Sequence, residues 1–113
     1  MSLYSEYLAE LNCGREIVEV DKVWFIAYVV HTDIKECYIE DMYIRPRYRN
    51  RGLCFKILSS LEDIAKKRGC KQLTHAIVKK HKAFEMVKTI SEKYGFIQCH
   101  ENDTEVYFAK EIA

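Results

Sequence analysis

Two adjacent carboxylates, Glu40 and Asp41, interrupt an otherwise apolar run from Tyr38 to Ile44. Consecutive residues of a regular strand face opposite sides, so at least one of these side chains must face a core layer, a cleft or a bulge. One interpretation is structural, an ion pair with an arginine or lysine on a neighbouring strand. The other is functional, a general base or a cation-binding acid. The residues alone leave both open.

A basic loop follows this run and holds Arg45, Arg47, Arg49 and Arg51. It ends at Gly52, which lets the backbone approach a ligand without a Cβ atom in the way. The first amides of the helix that begins here have no partners within the helix and carry partial positive charge. Such a turn suits an anion, and a pyrophosphate fits it well. An ordinary solvated basic loop is the alternative.

Hydrophobic spacing predicts the elements that position these groups. We predict a helix over residues 3–12, followed by strands at Arg15–Val20, Val23–Val30 and Lys35–Ile44, and a helix from Leu53 that Gly69 stops. A strand at Gln72–Val78, a helix over residues 82–94 and a hairpin of Phe96–Cys99 and Glu105–Ala109 complete the chain. Strand, helix, strand in this order predicts a right-handed parallel crossover. The expected fold is α/β, a mixed α+β sheet of about six strands with helices on both faces, in a single domain over residues 1–113.

Composition narrows the class of protein. The net charge of +1 argues for neither a nucleic-acid binder nor a membrane-surface protein, so any basic site must be local. The longest apolar run, Val23–Val30, is strand-sized, and the first residues lack the basic and apolar pattern of a signal peptide, so we expect a cytoplasmic protein. The five cysteines form no Cys-x-x-Cys pair, and the histidines lack zinc-ligand spacing with them, so we expect reduced thiols and no metal.

The stretch from Tyr38 to Leu58 resembles the central motif of the GCN5-related N-acetyltransferase (GNAT) superfamily. That motif is an apolar strand, a Pro-x-Tyr-Arg-like lead-in and an Arg/Gln-x-x-Gly-x-Gly/Ala turn that opens a helix; here Pro46 to Cys54 read PRYRNRGLC. The Ile39–Ile44 stretch is similar to polyamine acetyltransferase-like members. The Tyr94-Gly95-Phe96 tail resembles the closing elements of the family, the N-terminus is shortened, and compact members of this kind are familiar among phage proteins.

The resemblance implies an acetyl-CoA-dependent N-acetyltransferase, an acyltransferase that acts on a small-molecule or protein amine. Backbone amides of the Asn50–Phe55 segment (Asn50, Arg51, Gly52, Leu53, Cys54 and Phe55) would hold the pyrophosphate, with Arg49 and Arg51 adding charge. The backbone of Met42, Tyr43 and Ile44 would pair with the pantetheine arm like an additional strand. Glu40 matches the base, acting through a water, and Asp41 would help to bind a cationic amine. In the family this strand is bulged and splays from the next.

Three positions depart from the family pattern. Cys54 replaces the usual glycine or alanine of the turn. The acid tyrosine of the family falls at Ser91, which leaves Tyr94 as the nearest tyrosine and a second catalytic candidate, although a core aromatic is its alternative role. An asparagine often seen one helix earlier falls at Phe84. Protonation of the leaving thiolate therefore has no assigned donor, and a catalytically weak acyl-CoA-binding or structural module is the alternative function.

Other residues have two interpretations each. His75, in mid-strand, is a base if it faces the cleft and otherwise a hydrogen-bonded core or surface residue. The basic cluster at residues 79–82 fits the 3′-phosphate of CoA or a solvated loop. Together with the four arginines it also defines a third hypothesis, a nucleic-acid-binding domain, against which the near-neutral charge argues. The sequence leaves the acceptor and the oligomeric state open, a homodimer included.

Overall fold

The computed structural model describes residue 3 and residues 14–113 of the chain. In this part the strands are β1 (Arg15–Val20), β2 (Trp24–His31), β3 (Glu36–Ile44), β4 (Gln72–Val78), β5 (Ile97–Glu101) and β6 (Glu105–Glu111). The helices are α1 (Leu53–Lys67) and α2 (Phe84–Tyr94), and a single 3₁₀ turn covers Pro46–Tyr48. The helix predicted over residues 3–12 lies outside the described residues except for residue 3, which is helical.

The six strands of the described part form one mixed sheet in the order β1-β2-β3-β4-β6-β5. The predicted parallel connection is confirmed, because β3 and β4 are parallel and α1 connects them; its right-handedness stays a prediction. The other neighbouring pairs are antiparallel. The closing hairpin places β6 beside β4 and β5 at the edge, an order that hydrophobic spacing alone did not predict. The sheet therefore has its parallel pair at the centre.

Predicted and observed boundaries agree for β1 and β4 and differ by at most two residues elsewhere. Helix α2 begins at Phe84 because the chain turns first: the Ala83 N–H donates to His81 Nδ1 at 3.0 Å and the Phe84 N–H donates to the His81 carbonyl at 3.0 Å. Strand β6 extends past Ala109 because it pairs with the whole of β4, from Val78 beside Glu105 to Gln72 beside Glu111. Strand ends follow the partner strand, which local spacing does not reveal.

The core lies between one face of the sheet and the two helices. Helix α1 contributes Ile57, Leu58, Leu61 and Ala65, which repeat at the spacing of one helix face. Helix α2 touches α1, since the rings of Phe55 and Tyr94 stack with centroids 6.2 Å apart. Both described helices therefore cover the same face, and the expectation of helices on both faces depends on residues 3–12. Neither described helix is long and apolar enough to cross a membrane.

Candidate active site

Strands β3 and β4 pair over only a short distance and then separate. Their parallel register runs from Glu36 beside Gln72 to Tyr38 beside Thr74 and includes no later pair. Beyond this point β3 continues to Ile44 beside β2, and β4 continues to Val78 beside β6. The two central strands thus part in mid-sheet and open a wedge between them.

A β-bulge at Glu40 lies on the β3 side of this wedge. Ala27 of β2 pairs with Asp41 and its neighbour Tyr28 pairs with Ile39, so Glu40 is the extra residue without a register partner. The bulge shifts the side-chain alternation by one residue, because Ile39 is buried before it and Met42 packs against the core after it. This shift explains how two consecutive carboxylates can both lie outside the core. A bulge is one of the three surroundings that the sequence predicted for at least one of the two carboxylates, beside a core layer and a cleft.

The wedge contains a cavity with a volume of about 370 Å³. Its walls come from both parted strands, from the first turns of α1 and from α2. The lining residues are Ile39, Glu40, Asp41, Met42, Cys54, Leu58, His75, Ala76, Ile77, Val78, His81, Val87, Ile90, Ser91 and Phe96. The cavity is therefore mostly apolar, with carboxylates on the β3 wall and a histidine–serine pair on the wall formed by β4 and α2.

Both predicted carboxylates have polar partners. Glu40 Oε2 accepts a hydrogen bond from Arg15 of β1 across 3.4 Å. Glu40 therefore forms an ion pair and also lines the cavity. The two side chains are about one-third exposed, at 36% for Arg15 and 32% for Glu40, and such a pair contributes little stability. The Asp41 carboxylate accepts a hydrogen bond from the Met42 N–H at 2.9 Å. Glu40 and Asp41 thus remain accessible to a ligand.

The basic turn between β3 and α1 has an unusual backbone. Asn50 and Gly52 have φ values of 63° and 72°, in the left-handed region that favours glycine. The Arg49 Nε–H donates to the Ile44 carbonyl at 2.8 Å, and its guanidinium lies 5.4 Å from the centroid of the Tyr43 ring. Arg49 therefore braces the turn against the end of β3. Arg51 lies exposed beside Gly52.

The N-terminus of α1 is open to an anion. Gly52 is its N-cap, no side chain caps it by a hydrogen bond, and its first described turn contains no acidic residue. A Cβ atom built on Gly52 meets no atom of the described residues within 4 Å. In the same turn, Cys54 Sγ–H donates to Met42 Sδ at 3.8 Å, which ties the start of α1 to β3, and burial raises the pKa of the Cys54 thiol. The turn and the wedge are therefore neighbours.

Tyr94 lies outside the cavity walls. Its hydroxyl donates to Glu62 Oε1 at 3.1 Å, and Lys110 Nζ donates to the same oxygen at 2.6 Å. Burial and the neighbouring Glu62 carboxylate raise the pKa of Tyr94. Burial acts to raise the pKa of Glu62 as well, but the hydrogen bonds from Lys110, Lys66 and Tyr94 outweigh it and hold that pKa below its ordinary value. The structure does not bring Tyr94 together with Glu40, and we remove it from the candidate catalytic set.

Ser91 and His75 form a hydrogen-bonded pair in the cavity wall, with Ser91 Oγ and His75 Nε2 3.0 Å apart. Ser91 is the one buried polar residue of the described part, at 5% exposure. Burial lowers the pKa of His75 to about 4, and a hydrogen bond with the Ala76 backbone opposes this shift. His75 is therefore neutral at pH 7. The position that the resemblance left without an acid tyrosine thus holds a polar pair.

Sequence reasoning missed two features of the site. The pairing of His75 with Ser91 is one, although a period-2 position beside Leu73 and Ile77 indicated that His75 faces the helices. The spacing of Val87 and Ser91 on one helix face carried the same signal for the serine. The contact from Arg15 to Glu40 is the other, and it had no local signal because the whole of β2 separates these residues along the chain.

The basic cluster at residues 79–82 lies only partly in the cavity wall. Lys79 pairs with Glu101, whereas His81 lines the cavity. No group of three or more His, Cys, Asp or Glu side chains in the described residues is arranged to hold a metal ion. Four cysteines of this part, Cys37, Cys54, Cys70 and Cys99, are free thiols.

The family is established by comparison with known proteins. A family model described as "Acetyltransferase (GNAT) family" matches residues 3–96 of the chain. The chain belongs to this family. The resemblance seen in the Tyr38–Leu58 motif is thereby confirmed.

Similar proteins agree with this assignment. A thialysine N-ε-acetyltransferase from Sus scrofa is 32% identical over 60 residues, which are 52% of this chain and 35% of that protein. The chain thus matches about a third of the length of this curated relative. A GNAT-family protein from Desulfovibrio desulfuricans has a TM-score of 0.79 at 16% identity, over 96% of this chain and 76% of that one. The PaiA N-acetyltransferase from Thermoplasma acidophilum, in complex with coenzyme A, has a TM-score of 0.75 at 16% identity, over 96% and 68%. At these identities the structural matches establish the fold.

Proposed function

We propose that this protein is an acetyl-CoA-dependent N-acetyltransferase that transfers an acetyl group to a primary amine by direct attack. The observation that carries the proposal is the wedge between β3 and β4, with a bulge at Glu40 and an uncapped helix N-terminus at Gly52 beside it. An apolar cavity, a carboxylate and an anion site thus lie next to one another. Membership of the GNAT family and the name of the thialysine N-ε-acetyltransferase relative support the same activity.

Acetyl-CoA fits the residues that are present. The amides from Asn50 to Phe55 bind the pyrophosphate, because the N-terminus of α1 has neither a capping side chain nor an acid to compete with it. Arg51 adds charge, while Arg49 holds the turn against Ile44. The backbone of the Met42–Ile44 segment pairs with the pantetheine arm on the side where β4 has parted from β3. The acetyl thioester then lies in the cavity beside the bulge.

Glu40 acts as the general base, through a water. An alkylammonium ion has a pKa near ~10.4, so about one molecule in 10³ carries a free lone pair at pH 7. A carboxylate at the bulge removes the proton where the amine meets the thioester, and general base catalysis contributes about 10²- to 10⁴-fold. Asp41, beside it, attracts the cationic amine. The ion pair with Arg15 helps to orient the Glu40 carboxylate.

A small cationic amine is the acceptor that the cavity favours. Glu40 and Asp41 place negative charge at its rim, and the remaining walls are largely apolar, which suits an ammonium group on an alkyl chain. Thialysine, in the name of the relative, is an amine of this kind. A lysine side chain or an N-terminus of a protein presents the same chemistry and is the competing acceptor.

A weakly active acyl-CoA-binding module is the second candidate. The observation that favours it is the engagement of Tyr94 with Glu62, which leaves no tyrosine among the described residues of the cavity wall. Such a module binds acetyl-CoA but does not transfer the acetyl group to any amine. The two functions therefore make the same prediction for binding and opposite predictions for turnover.

The test combines binding with turnover. Acetyl-CoA at 100 times its Kd stabilises a folded protein by about 2.7 kcal/mol, whereas ATP or NAD should give much smaller shifts of the melting temperature. A panel of polyamines, lysine analogues and peptides is then assayed for release of free CoA thiol. Glu40→Gln should lower kcat about 10²-fold or more with an unchanged Kd for acetyl-CoA. Glu36→Gln, on the same strand but outside the cavity, is the matched control. Binding without any turnover would leave the second candidate, and the absence of binding would reject both.

A further inference from the structure

The pair formed by Ser91 and His75 faces the two carboxylates across the wedge. Both residues line the same cavity as Glu40 and Asp41, but they come from the opposite wall, Ser91 from α2 and His75 from β4. His75 is the first residue of β4 beyond the last pair with β3, which is Tyr38 beside Thr74. The pair therefore sits where the wedge begins to open.

The pair is held rigidly. The His75 ring stacks on Phe108 with centroids 5.2 Å apart and lies perpendicular to the Phe96 ring with centroids 4.7 Å apart. The Ser91 carbonyl accepts hydrogen bonds from the Gly95 N–H at 3.2 Å and the Phe96 N–H at 3.0 Å, which fix the end of α2. Neither side chain can move far without disturbing the core. A ligand in the cavity therefore meets these groups in a preset orientation.

The tautomer of the His75 ring sets the direction of the hydrogen bond. A neutral ring has one N–H, and with this proton on Nδ1 the other nitrogen, Nε2, is an acceptor 3.0 Å from Ser91 Oγ. In this tautomer the Ser91 hydroxyl donates to Nε2, and Ser91 Oγ offers only lone pairs toward the cavity.

We propose that Ser91 is a catalytic residue that accepts a hydrogen bond from the attacking amine, and that His75 is the positioning residue that keeps its hydroxyl turned away. The inference rests on the proposed function. A neutral primary amine has two N–H groups and one lone pair, so an N–H bound to Ser91 Oγ aims the lone pair at the thioester carbon. Glu40 and Asp41 attract the ammonium form from the other wall, and Ser91 orients the amine after deprotonation.

This role predicts which kinetic constant changes. Ser91→Ala should lower kcat/KM for the amine about five- to tenfold, as expected for the loss of one neutral hydrogen bond. The Kd for acetyl-CoA should remain unchanged, because the thioester arm lies along β3. The matched control is Ser60→Ala, the same change in α1, where the hydroxyl bonds only to the Lys56 carbonyl at 3.0 Å and lies exposed.

His75→Phe separates orientation from packing. Phenylalanine keeps a ring against Phe96 and Phe108 but removes the acceptor at Nε2, so the Ser91 hydroxyl is free to turn its proton into the cavity. We expect a similar loss of kcat/KM for the amine and again no change in the Kd for acetyl-CoA. Ser91→Thr retains the hydroxyl and should recover most of the activity that Ser91→Ala loses. If Ser91→Ala does not fold, His75→Phe supplies the same comparison.

The outcomes are distinct. Equal amine kcat/KM for Ser91→Ala and Ser60→Ala would overturn the inference and leave the proposed function intact. An equal loss in amine kcat/KM and in acetyl-CoA affinity would also overturn it, because that result indicates a packing role alone. If the unaltered chain binds acetyl-CoA but acetylates no amine, the proposed function fails and the inference fails with it. A selective loss that Ser91→Thr restores would support it.

Discussion

Replacing Gly52 by alanine tests the anion site directly, and the chain contains a matched control in Gly69. Both glycines have left-handed φ values, 72° and 81°, and a Cβ atom built on either one meets no described atom within 4 Å. They flank the same helix, Gly52 before its first residue and Gly69 after its last. The two substitutions should therefore strain the free protein equally, by about 1–2 kcal/mol each. Only Gly52 lies where the pyrophosphate is proposed to bind.

The melting temperatures should change by different amounts without and with acetyl-CoA. For a chain of 113 residues the entropy of unfolding is about 0.24 kcal/mol/K, so each variant alone should melt about 4–8 °C below the unaltered protein. Acetyl-CoA at 100 times the unaltered Kd should raise the melting temperature of the unaltered protein and of Gly69→Ala by about 11 °C, from about 2.7 kcal/mol of linkage. In Gly52→Ala the new Cβ stands between the amides and the phosphates. Loss of one charge-assisted hydrogen bond, about 1.5–3 kcal/mol, weakens binding about 10- to 150-fold.

The assay is thermal unfolding with and without acetyl-CoA, followed by calorimetric titration of all three proteins. The expected rise for Gly52→Ala is only about 1–6 °C, since a ligand that binds 10- to 150-fold more weakly contributes about 0.3–1.4 kcal/mol. Equal ligand-induced shifts for the two variants would refute the placement of the pyrophosphate at the turn. A larger loss in Gly69→Ala would place the anion elsewhere.

Three further predictions concern single side chains. His75→Phe should remove a pH dependence of stability, because burial lowers the pKa of His75 from about 6.5 to about 4 in the folded protein. As the pH falls through this window, the unfolded chain binds a proton that the folded protein does not bind. In urea unfolding, the free energy of unfolding of the unaltered protein should therefore fall by about 2 kcal/mol more than that of the variant between pH 7 and pH 5. Tyr94→Phe should lower the free energy of unfolding by about 1 kcal/mol, because it removes the hydrogen bond to Glu62, and it should leave amine turnover unchanged. A large loss of turnover would make Tyr94 a catalytic candidate again. Arg49→Lys should weaken acetyl-CoA binding severalfold, because lysine lacks the Nε–H that holds the turn on Ile44, and unchanged affinity in titration would contradict the bracing role.

Much of the fold could be predicted from local spacing. Strand β1 and strand β4 begin and end at the predicted residues, and the crossover through α1 follows from the order of the elements. The motif from Tyr38 to Leu58 was sufficient to indicate the family, which comparison with known proteins then established. These features were readable because each depends on residues close together in the chain.

The sequence by itself determined the class of the domain, the apolar strand with its two carboxylates and the glycine turn, since hydrophobic period, glycine and charge act locally. The tertiary structure decided where these groups lie. The bulge that frees both Glu40 and Asp41 exists only in the register of β3 against β2, and the contact of Arg15 with Glu40 crosses that pairing. The hydrogen bond between Ser91 and His75 joins helix α2 to strand β4, which precedes it in the chain. Only the packing of α2 against the sheet therefore decides that a hydrogen-bonded pair lies where the resemblance left no acid tyrosine.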